Sequence, residues 1–283
     1  MNKTIPIPEV AKAVGMTSLA FEDDFESLDT IAFEDETNRK WYTLSYGNRL
    51  RRDQVTQGDS YVHLEPDVYG LVSYSRKNRE GYLATCGCYL ECRIRAKMPL
   101  GKHNGTPAFW TFGVKDFLGE QWDRLGELDV VELFTTKNAA DEDQKFFAGT
   151  LHEHYRTGRV LENGFPERKF TSNSVNACGY LDQFPFTDDD WHTYGALWEK
   201  GRITWYMDGV KMHSVEYGAD VMPTYYYRDD PTPLPPVNEV YPGVKNLDFV
   251  GVNSIMDTDE EVVFLTCSKA YPMDVDWVRI WRA

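Results

Sequence analysis

The chain has 283 residues, 42% hydrophobic and 14% aromatic, which excludes a disordered polypeptide and supplies a core for one large domain. With 30 basic against 45 acidic side chains the net charge is −15, so there is no basic stripe through which a nucleic acid would release counterions. No apolar run reaches the roughly 18 residues that span a bilayer, so the expectation is a soluble chain without a membrane partner.

Taken in chain order, residues 1–16 show no basic segment followed by an apolar one, so no signal peptide is visible. Residues 10–14 carry the only helical periodicity, and it is weak. Strands are predicted at 61–64 and 71–74. The clearest one is at 88–98, where Cys88, Leu90, Cys92, Ile94 and Ala96 alternate with Glu91, Arg93, Arg95 and Lys97. Further strands are expected at 108–112, 127–133, 147–154 and 192–198. A hairpin follows at 202–217, turning on Asp208-Gly209, and the last strands are predicted at 247–254 and 275–281. Residues 135–146 read as a polar loop. Residues 222–243 hold six of the 14 prolines around Tyr225, Tyr226 and Tyr227, and proline at that density excludes a central strand. Many short strands without intervening helices imply two packed antiparallel sheets. No repeat or compositional break divides the chain, so residues 1–19 are taken as an N-terminal extension and 20–283 as one domain.

The five cysteines are Cys86, Cys88, Cys92, Cys178 and Cys267. The first three share one strand parity and read as small buried hydrophobes, not as a zinc cluster. A Cys178–Cys267 disulfide stays open.

The most informative segment is Leu125-Gly-Glu127-Leu-Asp129-Val-Val-Glu132, with three carboxylates within six residues of an otherwise apolar strand. Simple alternation puts Glu127 and Asp129 on one face and Glu132 on the other. A β-bulge at Val130-Val131 would return Glu132 to the face of the other two, in a stripe about 13 Å long at roughly 3.3 Å per residue. Paired carboxyl groups of unequal protonation are what glycosidic bond cleavage needs, one attacking the anomeric carbon and one protonating the leaving oxygen. Crowding keeps all three from ionising together. Trp110 and Trp122 lie close by in sequence, and indole faces pack on the flat C–H faces of sugars. The plain alternatives are a solvated acidic face and core tryptophans. His152 and His154 share a strand face; such a pair can bind metal, but no third ligand is indicated. Asn48, in Tyr46-Gly-Asn, is a candidate for a sugar hydroxyl or an ordinary turn residue.

The run from Pro107-Ala-Phe-Trp110 through Trp122 to Gly126-Glu-Leu-Asp-Val-Val-Glu132 resembles the signature of family 16 of the glycoside hydrolases. Other blocks follow in the family's order: residues 82–97, Gly149-Thr-Leu-His152, Trp191 to Glu199, Trp205-Tyr-Met-Asp-Gly209 and the closing Val275-Asp-Trp-Val-Arg-Ile-Trp281. The resemblance spans roughly residues 20–283. It implies a concanavalin-like β-jelly-roll with a concave cleft, acting as a retaining endo-hydrolase of β-linked glucans or galactans. By motif it implies Glu127 as nucleophile, Asp129 as electrostatic helper, Glu132 as general acid/base and His152 as a cleft residue. It also implies a structural calcium ion on the convex face, with Asp276 and the Gly58 carbonyl as ligands, and no cofactor needed for catalysis. The spacing of two residues between Asp129 and Glu132 is similar to the laminarinase, agarase and carrageenase branches. The expected activity is hydrolysis of a β-1,3-glucan such as laminarin, by a monomer secreted or held at the cell surface, with a cytoplasmic site also open. A galactan hydrolase is the alternative, and a non-catalytic carbohydrate-binding jelly-roll is a third reading. All three carboxylates together speak against the third, since a lectin needs no matched acid and nucleophile.

Overall fold

A computed structural model describes residues 5–45, 48–65, 68–97, 106–122, 124–137, 143–160, 166–172, 190–217, 224–227, 255–267 and 271–283. Among these residues two nine-stranded sheets pack face to face. The first runs from the edge strand Thr224–Tyr227 through Val210–Glu216, Arg202–Met207, His192–Glu199 and Cys88–Ala96 to Met273–Arg282, Val62–Leu64 and Val55–Gln57. Ser18–Asp23 also pairs with Met273–Arg282. The second runs from Pro166–Ser172 through Asp143–Val160, Arg124–Lys137, Pro107–Gly113 and Glu261–Cys267 to Val68–Val72, Trp41–Tyr42 and Ile31–Ala32. Pairing is antiparallel except between Ile31–Ala32 and Trp41–Tyr42. Alternation explains the core: every second residue of each long strand turns inward, and Leu90, Cys92, Phe109, Leu128, Phe147, Trp198 and Trp205 meet between the sheets.

The Asp208-Gly209 turn forms as its dipeptide predicts. Both residues take positive φ, 50° and 76°, which the glycine accepts without strain and which matches the twist of the flanking strands. Cys88 and Cys92 are buried, free thiols. Cys267 is also a buried free thiol, donating to the carbonyls of Leu64 and Glu65; Cys178 lies outside the described residues.

Several elements depart from the sequence expectation. The expected loop at 135–146 is largely strand, because Arg124–Lys137 and Asp143–Val160 extend into it from both sides. Within 222–243 a short edge strand, Thr224–Tyr227, forms before the proline run. Glu261–Cys267, a central strand, carries no alternation because both of its faces are buried. A short helix, Val114–Leu118, closes on Gly119 at φ 74°. The expected strand at 247–254 lies outside the described residues. The division between residues 19 and 20 falls inside the strand Ser18–Asp23. The segment before it lies on the outer face of the first sheet, where Ala11 and Met16 pack against Tyr89, Leu197 and Trp281.

Candidate active site

Val130 and Val131 are 1% and 0% exposed and both belong to the inter-sheet core, which neighbouring strand residues can do only across a bulge. The register locates it. Asp129 faces Thr150 and Glu132 faces Ala148, so the two valines oppose the single residue Gly149. On the other side Asp129 faces Trp110, while Val131 faces Phe109. Glu127, Asp129 and Glu132 therefore share the outer face of the second sheet.

On this face His154 Nε2 lies 2.6 Å from Glu127 Oε2, and His152 Nε2 lies 3.1 Å from Asp129 Oδ2. The two ring centroids stand 6.1 Å apart, and the rings serve different carboxylates. One ligand atom each from Glu127, Asp129 and His152 falls within 4.8 Å of the others, close enough to share an ion. Burial raises the Asp129 carboxyl well above its usual range, and the Glu127 charge adds to this. Burial likewise pushes Glu132 up to about 8; Asp129 adds to the rise and His152 opposes it. At neutral pH this favours the protonated form of Glu132.

Trp110 stands beside the stripe. It stacks on Phe264 at 4.4 Å, and its indole N–H donates to Thr266 Oγ1 at 3.0 Å. Trp122 is 4% exposed, packed with Phe112, Phe117, Leu125 and Phe264, and its indole N–H donates to Asp116. Buried in this way, it offers almost no surface for stacking. Asn48 belongs to a two-residue strand whose backbone pairs with Ser45.

Sequence reasoning missed a second acidic pair behind the stripe. Asp259 Oδ2 accepts the Gly126 N–H at 2.8 Å, tying down the residue before Glu127. Glu261, fully buried, accepts the Thr111 hydroxyl. Burial first, and then the Asp259 charge, raise Glu261 well above the usual range. Only the sheet order brings them here: Glu261 faces Gly113 across a strand pair distant in sequence.

The two residues expected as calcium ligands are each engaged by a protein donor. Asp276 accepts a hydrogen bond from the Arg93 guanidinium. The Gly58 carbonyl converges with those of Phe25 and Tyr61, and the Gln57 amide nitrogen fills the centre at 3.1, 2.5 and 3.2 Å respectively.

A β-sandwich carrying one face of crowded carboxylates, with a raised acid among them, defines a glycosidase-type jelly-roll. The model of the glycosyl hydrolases family 16 matches residues 52–243, and the chain belongs to that family. Among sequence relatives, the κ-carrageenase of Pseudoalteromonas carrageenovora is 35% identical over 126 residues, covering 43% of this chain and 28% of that one. Glucan endo-1,3-β-glucosidase A1 of Niallia circulans is 25% identical over 228 residues, 72% of this chain and 30% of that one. The matched region is thus under a third of either relative's length. Among solved structures, the catalytic domain of an endo-1,3-β-glucanase (laminarinase) from Thermotoga petrophila RKU-1 superposes with a TM-score of 0.52 at 14% identity, covering 94% of this chain and 97% of that one. This likeness concerns the fold.

Proposed function

We propose that the chain is a retaining endo-hydrolase of a β-1,3-linked glucan, with Glu127 as nucleophile, Asp129 as its helper and Glu132 as general acid/base. The observation that carries this reading is the bulge, which sets a buried acid of pKa about 8 on the face of Glu127. In the first step the Glu127 carboxylate attacks the anomeric carbon while Glu132 gives its proton to the departing glycosidic oxygen. In the second, Glu132, now a carboxylate, takes a proton from water, which displaces Glu127 with the original configuration restored. Asp129 orients Glu127 from the next position on the same face, and His152 and His154 hold Asp129 and Glu127.

The longer of the two relative matches, to a glucan endo-1,3-β-glucosidase, supports a glucan. The net charge of −15 supports a neutral polymer, since it repels a sulfated chain within a Debye length of about 8 Å at physiological salt. The 35% identity to a κ-carrageenase supports a galactan as the second reading. A polymeric substrate puts the reaction outside the cell or at its surface. Product analysis on laminarin, mixed-linkage glucan, agarose and carrageenan separates the readings. Laminarin should be cut internally, with NMR showing the β-anomer first. Preference for carrageenan overturns the substrate, and α-anomer overturns the mechanism.

A further inference from the structure

We infer that Trp205 is a positioning residue of this site: its indole N–H, reaching across the sandwich from the opposite sheet, holds the bulge that carries Glu132 to the face of Glu127. The inference rests on the proposed hydrolysis for its kinetic consequence, though not for its structural content.

A bulge interrupts the ladder and leaves backbone groups needing other partners. Trp205, fully buried in Arg202–Met207, donates its Nε1–H to the carbonyl of Asp129 at 2.8 Å, at the residue just before the bulge. The residue opposite the bulge makes room for it. A Cβ on Gly149 would stand 2.2 Å from Trp205 Cδ1 and 2.4 Å from Nε1, so any other residue here would displace the indole. His213 closes the arrangement from the far side. It faces Trp205 in the strand pair, stacks on it at 4.4 Å with 9° between the planes, and its Nε2 lies 3.2 Å from the Gly149 carbonyl. A carbonyl can only accept, so His213 carries its proton on Nε2. Burial lowers its pKa to about 4, which keeps the ring neutral at any pH where the site would work.

The three residues form one clamp. Gly149 is the gap, Trp205 the bond to the bulge, and His213 the support that fixes the indole plane and ties it to the strand opposite. Without the bond, the two valines can relax towards regular alternation, which turns Glu132 from the outer face to the inner one. The defect should therefore fall on proton donation to the leaving group rather than on binding.

The test is Trp205→Phe, which keeps an aromatic ring and removes the N–H, compared with Trp198→Phe. Trp198 is equally buried in the first sheet, but its indole bonds the Met256 carbonyl away from the bulge. Trp205→Phe should lower kcat on polysaccharide by about tenfold or more, with KM within about twofold, as for a weakened general acid. On an activated aryl glycoside, whose leaving group needs little protonation, kcat/KM, which reports formation of the glycosyl-enzyme, should change by less than about twofold. Hydrogen exchange of residues 129–132 should quicken in Trp205→Phe and not in Trp198→Phe. Equal losses on both substrates, unchanged exchange at 129–132, or the same exchange pattern in both variants would overturn the clamp. The exchange measurement does not need turnover, so a chain that hydrolyses nothing would refute the proposed function and leave the clamp to be decided by exchange.

Discussion

On the outer face of the first sheet Asp274 lies 2.6 Å from His63 and 2.7 Å from Arg95, Asp276 meets Arg93, and Arg279 reaches Asp24 at 2.8 Å. On the outer face of the second sheet Glu127 and Asp129 meet imidazoles, and no guanidinium or ammonium among the described residues contacts Glu127, Asp129 or Glu132. The consequences are opposite. Burial pulls Asp274 upward, but the hydrogen bonds from His63 and Arg95 outweigh it and hold the carboxyl below its usual value. Burial pulls Glu132 upward too, and there the neighbouring Asp129 reinforces the rise. A permanent cation locks a carboxylate in one charge state, whereas carboxylates facing each other and histidine keep protons exchangeable near neutral pH. The first face holds Asp274 charged; the second keeps Glu132 protonated near neutral pH.

Exchanging the residues of the two faces should break the contrast most at the stripe. Glu127→Ala and Glu132→Ala should each reduce polysaccharide hydrolysis, by about 10²–10⁴-fold for the lost proton donor and at least as much for the lost nucleophile. Added azide distinguishes them: a β-glycosyl azide from the Glu132 variant with an activated aryl glycoside, and an α-azide from the Glu127 variant. The opposite anomers would exchange the roles. Wild-type kcat/KM should fall as pH rises through about 8, where Glu132 loses its proton.

His154→Phe keeps the ring packed near Phe112 and removes the bond to Glu127. A hydrogen bond to a charged group contributes about 1.5–3 kcal/mol, so kcat should fall about ten- to a hundredfold. Arg95→Met, on the other face, should leave kcat/KM within about twofold, because its partner Asp274 has no part in the chemistry. Equal losses in steady-state kinetics would erase the difference between the faces.

One carboxyl of the first sheet behaves like the second. Glu91 is 4% exposed, and burial raises it from 4.5 to about 7, despite the 3.2 Å bond it accepts from Trp281. A folded-state pKa above the unfolded one contributes stability that is complete below about pH 4.5 and is lost as pH rises through about 7. Glu91→Gln keeps the acceptor without the charge. Its melting temperature should exceed that of the wild type by roughly 2–4 °C at pH 8 per kcal/mol relieved, and match it at pH 4.5. A difference independent of pH would refute this.

The smallest effect is expected from chelation. With Gln57 filling the carbonyl cluster and Arg93 on Asp276, EDTA should move the melting temperature by less than about 1 °C. A larger fall in a thermal scan, reversed by added calcium, would show that a cation displaces the Gln57 amide.

Period-two alternation and an Asp-Gly dipeptide are local properties, so the strand 88–96 and the hairpin at 208–209 were legible from composition and order alone. So were the three carboxylates and the bulge at Val130-Val131 that would unite them, beside the plain alternative of a solvated acidic face. Which residues meet those acids was not legible. His154 reaches Glu127 from the paired strand, Asp259 reaches Gly126 just before Glu127, and Trp205 reaches the bulge across the sandwich, over separations of 27, 133 and 76 residues in sequence. Trp122 read as a stacking platform because a tryptophan near acids looks alike in sequence whether its face is open or covered. Glu261–Cys267 was invisible as a strand because burial on both faces removes the alternation that marks one. The sequence determined which groups the site contains; the packing of two sheets decided their protonation and their partners, because desolvation and long-range contact exist only once the chain has closed.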